Sequence, residues 1–103
     1  MAGIWGKEET TMILRLNTTN TDYAIPFSYI KVLKADYSIE NQSLLITYEC
    51  GNLDDQGIFQ KSRDAESLHC EPDTIAQFFG KVSPVVDAYN ILMARAGYEG
   101  EVI

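Results

Sequence analysis

The chain has 103 residues, which suits one domain with a single hydrophobic core and is too short for two. Hydrophobic residues make up 46% and charged residues 22%, a balance that excludes disorder of the whole chain and predicts a folded core. The formal net charge of -7 argues against DNA or RNA as a direct partner, because phosphate binding needs clustered Lys and Arg, and the 8 basic residues are scattered.

The acidity of the chain leaves two interpretations open. Acidity favours solubility in general, and it is also typical of proteins that mimic a nucleic-acid surface in order to occupy a basic protein groove. No apolar run approaches the roughly 20 residues that cross a bilayer, and the start of the chain has no apolar stretch of signal-peptide length. We therefore expect no membrane contact, and a protein that stays in the compartment where it is made.

Residues 1–11 are predicted to form a flexible N-terminal arm ahead of a single α+β domain at 12–103. The arm mixes Gly, Glu, Lys and Thr around the isolated apolar pair Ile4 and Trp5, without the period of a strand or a helix. A Trp without periodic neighbours either folds back on the core or docks on a partner. Ile4 and Trp5 are therefore candidate interface residues.

The domain begins with the pattern of a β-strand. In residues 12–16 the side chains alternate between two faces, with Leu14 and Leu16 on one face and Arg15 on the other. A cluster of polar turn-forming residues follows at 17–22. This predicts a strand followed by a loop.

A hairpin is predicted next, with strands at 27–35 and 43–50. Pro26 cannot donate to a sheet ladder, so it belongs at the start of the first of these strands. In the second strand a one-residue slip would exchange an apolar face for a polar one, so burial of the apolar face fixes the register. That face consists of Leu44, Ile46 and Tyr48.

The segment between the hairpin and the C-terminal part is the least clear. Residues 51–57 are turn-formers and predict a loop, whereas 58–71 have little periodicity. Residues 67–70 are candidates for a short fourth strand.

A short helix is predicted after Pro72. Asp73 and Thr74 follow it, and their side chains are expected to accept hydrogen bonds from first-turn amides. Apolar residues at i, i+3 and i+4 then give one stripe, and Gly80 is expected to end the helix. The stripe consists of Ile75, Phe78 and Phe79.

A second helix is predicted from Ser83, because a capping residue is followed there by proline at the first helical position. Apolar residues recur at three- and four-residue spacing, and Gly97 stands where a left-handed C-terminal cap is expected. The tail at 98–103 ends on two apolar residues beyond that cap. The apolar stripe of the helix consists of Val85, Val86, Tyr89, Leu92, Met93 and Ala96.

These elements predict an α+β fold in which an antiparallel β-meander of three to four strands packs against one or two C-terminal helices. The prediction depends on one premise, that the apolar side of the meander and the last helix bury each other. Only contact surfaces would then be left outside.

The sequence offers few groups for catalysis. His69 is the only histidine, and its neighbour Cys70 would point to the opposite face of a strand, so a structural His and a packed Cys are favoured over a Cys-His dyad. Cys50 and Cys70 are too few for a disulfide framework, and their spacing does not suit zinc. We expect two reduced thiols, with a disulfide between them as the alternative. We expect no catalytic residue and no enzyme.

Metal and cofactor sites are not indicated either. Asp54 and Asp55 with Asp64 or Glu66 could supply oxygen ligands to a hard cation, but the ligand spacing of a calcium loop is missing, which favours a solvated loop. The glycines form no phosphate-binding motif, so no cofactor-binding residue is expected.

The last helix and its tail resemble small proteins encoded by tailed bacteriophages and prophages. The matching residues are 86–92, an Ala-Tyr-x-x-Leu pattern, and the Gly- and Tyr-containing tail 97–103. Residues 28–32 and 44–48 also resemble the hairpin of that group. The likeness covers 12–50 and 83–103, and its motifs are packing motifs that name no active site.

This resemblance implies a phage virion or virion-assembly protein of the tail or baseplate region, found in the host cytoplasm and then in the virion. Its partners would be copies of itself and other virion proteins, bound through apolar residues at both ends of the chain. The alternative is a small acidic phage-encoded inhibitor that binds a basic surface of a host defence or nucleic-acid-binding protein. The predicted interface residues are Ile4, Trp5, Tyr98, Val102 and Ile103.

Overall fold

The computed structural model describes residues 12–21 and 25–103, which form an antiparallel sheet with two helices on one side. The α+β class and the meander are confirmed, and the sheet has six strands in the described part of the chain. In chain order the elements are β1 Leu14–Asn20, β2 Phe27–Ser38, β3 Ser43–Leu53, β4 Phe59–Lys61, β5 Glu66–Cys70, α1 Pro72–Phe78, α2 Pro84–Arg95 and β6 Gly100–Val102.

The sheet is built around the long hairpin of β2 and β3. Its strand order is β4-β3-β2-β1-β6, and β5 pairs with the first half of β3. The hairpin register runs from Ser38 opposite Ser43 to Tyr29 opposite Gly51, with one irregularity between Val32 and Lys34. β1 and β4 pair only with the open end of the hairpin, at residues 27–30 and 51–53, whereas β5 pairs with the half of β3 next to the turn. The two halves of the hairpin therefore have different neighbours.

The predicted strand faces are confirmed. Leu44 and Ile46 are fully buried and Tyr48 nearly so, whereas Leu45 between them is exposed. In β1 the buried Leu14 flanks the exposed Arg15. Burial of one face therefore sets the register, as the alternation predicts.

The second predicted helix, α2, is also confirmed with its caps. The Ser83 hydroxyl accepts a hydrogen bond from the Val86 amide, Pro84 occupies the first turn, and Gly97 has φ of 80°. The buried face of α2 joins residues of β1, β2 and β3 in one core, so the last helix and the meander do bury each other. That face consists of Ala88, Tyr89, Ile91 and Leu92.

The start of α1 differs from the prediction. Its N-cap is Glu71, and no side chain caps it. Thr74 is buried instead, and its hydroxyl accepts a hydrogen bond from Arg95 Nε at 3.1 Å. The side chain predicted to cap α1 therefore ties that helix to the end of α2.

The strands are longer than the sequence predicts. β1 continues to Asn20 through most of the polar cluster, and β3 continues to Leu53 into the predicted loop. Gly51 makes the second extension possible, because a Cβ at this position would lie 2.1 Å from the carbonyl oxygen of Gln60 in β4. The short strand considered for 67–70 is present as β5.

The C-terminal tail forms a strand that the sequence does not predict. β6 pairs antiparallel with β1 and places Val102 opposite Leu14. Backbone hydrogen bonds in both directions between Ile13 and Ile103 continue this pairing. The tail is therefore part of the sheet.

Asp87 is a fully buried carboxylate in the first turn of α2. Its two oxygens accept hydrogen bonds from the amides of Gly80, Lys81 and Val82 at 2.9 to 3.1 Å. The linker between the two helices is thus held by one side chain, which compensates the burial of that charge.

The arm predicted for residues 1–11 lies outside the described residues. No helix in the described part of the chain is long and apolar enough to cross a membrane.

Candidate interaction surface

The predicted interface residues occupy different environments. Ile4 and Trp5 lie outside the described residues. Tyr98 is half-buried, with its ring packed edge to face against Phe27 and Tyr48 at centroid distances of 6.2 and 6.1 Å. Its ring therefore packs mainly against interior side chains. Val102 is also half-buried and packs against the core.

Among the predicted interface residues that the structure describes, Ile103 is the one on the outer face of the sheet. It is 48% exposed, and its side chain points away from the helices because that of its neighbour Val102 packs against the core. There it lines a shallow groove of about 460 Å³. The groove is lined by Met12, Ile13, Lys31, Leu53, Gly57, Phe59 and Ile103.

The apolar lining of this groove comes from three parts of the sheet, namely the residue before β1, the β3-β4 hairpin and the residue after β6. Ile13 faces outward because its neighbour Leu14 faces the core, and Leu53 pairs with Phe59 at the end of the β3-β4 hairpin. Ile13, Leu53 and Phe59 are not among the interface residues predicted from the sequence. The alternation around Leu14 could have identified Ile13, whereas the position of Phe59 depends on a strand that the sequence does not predict.

Ion pairs lie near the groove on the outer face. Arg15 of β1 pairs with Glu101 of β6, and Lys61 of β4 pairs with Glu49 of β3 at 3.7 Å. Lys31, which lines the groove, has no ion-pair partner among the described residues. The groove therefore combines apolar walls with one cation.

A second accessible feature is the edge of β2 beyond the end of β1, at 33–38. β1 pairs with β2 only as far as Ile30, and no other described strand covers that side of 33–38. Leu33 and Tyr37 on this edge are 46% and 44% exposed. Lys34 and Asp36 form an exposed ion pair at 3.3 Å. Such an edge presents unpaired backbone donors and acceptors.

Tyr89 marks the point at which β1 and β2 separate. Continuing the register of Leu14 with Ile30 would place Met12 opposite Val32. The Tyr89 hydroxyl stands between them, accepting from the Val32 amide at 3.0 Å and donating to the Met12 carbonyl at 2.9 Å. A side chain of α2 thus takes the place of the backbone hydrogen bonds between β1 and β2 at the point where the free edge of β2 begins.

One polar cluster at the inner face could in principle support chemistry. Arg63 pairs with Glu66, contacts Cys50 Sγ at 3.6 Å and lies over the Phe27 ring at 5.3 Å. Burial raises the pKa of the Cys50 thiol, although Arg63 opposes the shift. Burial and the hydrogen bond with Tyr48 raise the pKa of Tyr98. At neutral pH both groups stay protonated, so neither is a poised nucleophile or base.

The remaining sulfur and imidazole groups are separated. Cys70 is buried, whereas His69 is exposed and lies 3.5 Å from a Glu71 carboxylate oxygen, so the predicted opposite orientation is confirmed. Both cysteines are free. Cys70 pairs with Leu44, and Cys50 lies six residues further along β3, roughly 20 Å away at the rise of a strand. That separation rules out the alternative disulfide within the chain.

Asp54 organises the β3-β4 turn. Its carboxylate accepts from the amides of Gln56 and Ile58 at 2.9 Å and from the Gln60 side chain at 3.1 Å. The backbone hydrogen bond from Ile58 is the main cause that holds its pKa below the usual carboxyl value. Among the described residues there is no group of three or more metal-ligating side chains.

Comparison with known proteins adds no relative to this description. No protein-family model matches the chain, and neither a curated protein nor a solved structure shows significant similarity to it. The function therefore has to be inferred from the surfaces of the molecule itself.

Proposed function

We propose that this protein is a non-enzymatic structural or assembly component that acts through protein contacts, of the kind expected in the tail or baseplate region of a tailed phage. The observation that supports it most directly is the apolar groove on the outer face of the sheet. Four of its residues, Ile13, Leu53, Phe59 and Ile103, are not part of the core cluster. Apolar side chains collected in one place outside the core favour a protein partner.

The polar groups of the protein support the same proposal. Asp87 and Asp54 accept hydrogen bonds from backbone amides, and Glu66 forms an ion pair with Arg63. The thiols and buried phenols have raised pKa values because of burial. These groups stabilise the fold, whereas the groove and the free edge of β2 lie at the surface and are accessible to a partner.

The proposal is tested by co-expressing the chain with the products of its neighbouring genes and measuring the masses of the complexes by chromatography with light scattering. We expect Ile103→Lys to abolish a complex that wild type forms, because a charge would enter the apolar groove. Ile58→Lys is the matched control, since Ile58 is 54% exposed but does not line the groove. Equal behaviour of the two variants would contradict the proposal.

The acidic inhibitor is the second candidate, and the net charge of -7 favours it. An inhibitor would form a stoichiometric complex with one basic host protein, and high salt would weaken that complex. The groove variant Ile103→Lys would then have little effect, so the same pair of variants separates the two functions.

A further inference from the structure

The edge of β2 at 33–38 carries a pattern that is complementary to itself. We propose that a second copy of this chain adds its own 33–38 segment to this edge, antiparallel and related by a two-fold axis at Ala35. The inference rests on the proposed function and deepens it by naming one partner, another copy of the chain.

The charges on the edge match in this register. With Ala35 opposite Ala35 of the second copy, Lys34 lies opposite Asp36 of that copy, and Asp36 lies opposite its Lys34. Lys34 and Asp36 share one face, because they are two residues apart in a strand. In each copy they already form an ion pair at 3.3 Å. Pairing would therefore arrange four charges with alternating signs.

Neighbouring two-fold registers are disfavoured. Side chains directly opposite each other in an antiparallel pair lie on the same face of the sheet. The register can therefore shift only by amounts that keep each side chain on its own face. One step places Lys34 opposite Lys34 of the second copy, and the step in the other direction places Asp36 opposite Asp36. Like charges directly opposite each other are destabilising, so the register centred on Ala35 is selected.

The paired part of the edge is regular, because the irregularity of β2 lies between Val32 and Lys34. Ala35 and Tyr37 lie on the inner face, since they pair with the buried Ile46 and Leu44 of β3, and the Tyr37 ring packs against Phe79 at a centroid distance of 5.6 Å. Lys34 and Asp36 are therefore the side chains that meet the second copy on the outer face. The backbone groups of the free edge gain partners in this register.

A lysine on an edge strand commonly protects it against pairing. Here Asp36 of the second copy compensates the lysine charge in one register only. The edge should therefore pair with another copy in that register and resist pairing in others. The paired segment is short and the interface is small, so we expect a dissociation constant on the order of micromolar.

Charge reversal tests the proposal on the full chain. Lys34→Asp and Asp36→Lys each place like charges opposite each other, and each variant should self-associate at least about tenfold more weakly than wild type. The two variants mixed in equal amounts should form a heterodimer, and the double variant carrying both changes should dimerise again. Masses from light scattering over a concentration series distinguish these species, and circular dichroism checks that each variant is folded.

The results separate three outcomes. Recovery of the dimer in the mixture and in the double variant supports the proposal. A wild-type monomer at every concentration overturns it. Self-association that ignores the charge changes also overturns it, and if such an assembly is lost in Ile103→Lys the proposed function still stands.

A variant lacking residues 1–11 tests a different occupant of the edge. If only this shortened chain dimerises, with the same dependence on Lys34 and Asp36, then the N-terminal segment of the chain covers the edge and the proposal is wrong for the full protein. Equal dimerisation of both lengths supports the second copy as the occupant.

Discussion

Tyr89 shows how one side chain can fulfil a role that the sequence pattern does not reveal. Its spacing along α2 predicts a core position, and it is fully buried. The pattern does not predict that its hydroxyl joins Val32 of β2 to Met12 at the start of β1. Asp87 is similar, because its three amide donors belong to a linker whose path depends on how α1 and α2 pack. Hydrogen bonds between distant segments leave no periodic signal.

We expect Tyr89→Phe to lower the free energy of unfolding by about 1–3 kcal/mol, because a buried amide and a carbonyl would lose their shared partner. Urea unfolding followed by circular dichroism measures the change. Tyr37→Phe is the control, since Tyr37 is 44% exposed and its hydroxyl bonds to none of the described residues, while the ring contact with Phe79 is kept. Its effect should stay within about 0.5 kcal/mol. Equal effects of the two substitutions would show that the Tyr89 bridge adds no stability.

At the scale of the elements, β6 shows that pairing can override a weak local signal. Residues 98–103 contain a glycine and no alternation long enough to predict a strand, yet β1 offers an open edge next to them. Gly100 allows the close approach, because a Cβ there would lie 2.1 Å from the carbonyl oxygen of Arg15. α2 is the opposite case, since its caps and stripe are local and predict it well.

Gly100→Ala should therefore displace β6 and lower the free energy of unfolding by about 1–3 kcal/mol, the usual range for overpacking. The same urea experiment measures it, and amide exchange of Ile13 should become faster as its bond to Ile103 is lost. Glu101→Ala in the same strand removes only an exposed ion pair with Arg15, so its cost should not exceed about 1 kcal/mol. A smaller effect for Gly100→Ala than for Glu101→Ala would contradict this role of the glycine.

For the whole molecule, the buried thiols and phenols make stability depend on pH in the alkaline range. Burial is the largest cause that raises the pKa of Cys50, Cys70, Tyr48, Tyr89 and Tyr98. In each group the neutral form is favoured in the folded state. Their contribution to stability is complete below the pKa of the unfolded chain, and it is lost as the pH rises through the folded pKa.

The protein should thus keep its stability near pH 7 and lose it above about pH 9, where thiols and then phenols of the unfolded chain ionise. Urea midpoints between neutral and alkaline pH, under reducing conditions, measure this loss. Tyr98→Phe should reduce the alkaline loss, because one of the shifted groups is removed. A constant midpoint across the range would contradict the assignment.

Local sequence patterns are sufficient to predict the class of the fold and its central elements. Alternation in the β2-β3 hairpin and the caps and stripe of α2 are local signals, and burial of one face of each element follows directly from them. The tertiary structure alone decided the short strands β4 and β6, the groove around Ile103 and the free edge of β2. These features depend on which strand ends meet and where β1 stops, and contacts between segments far apart in the chain are not encoded in any local period.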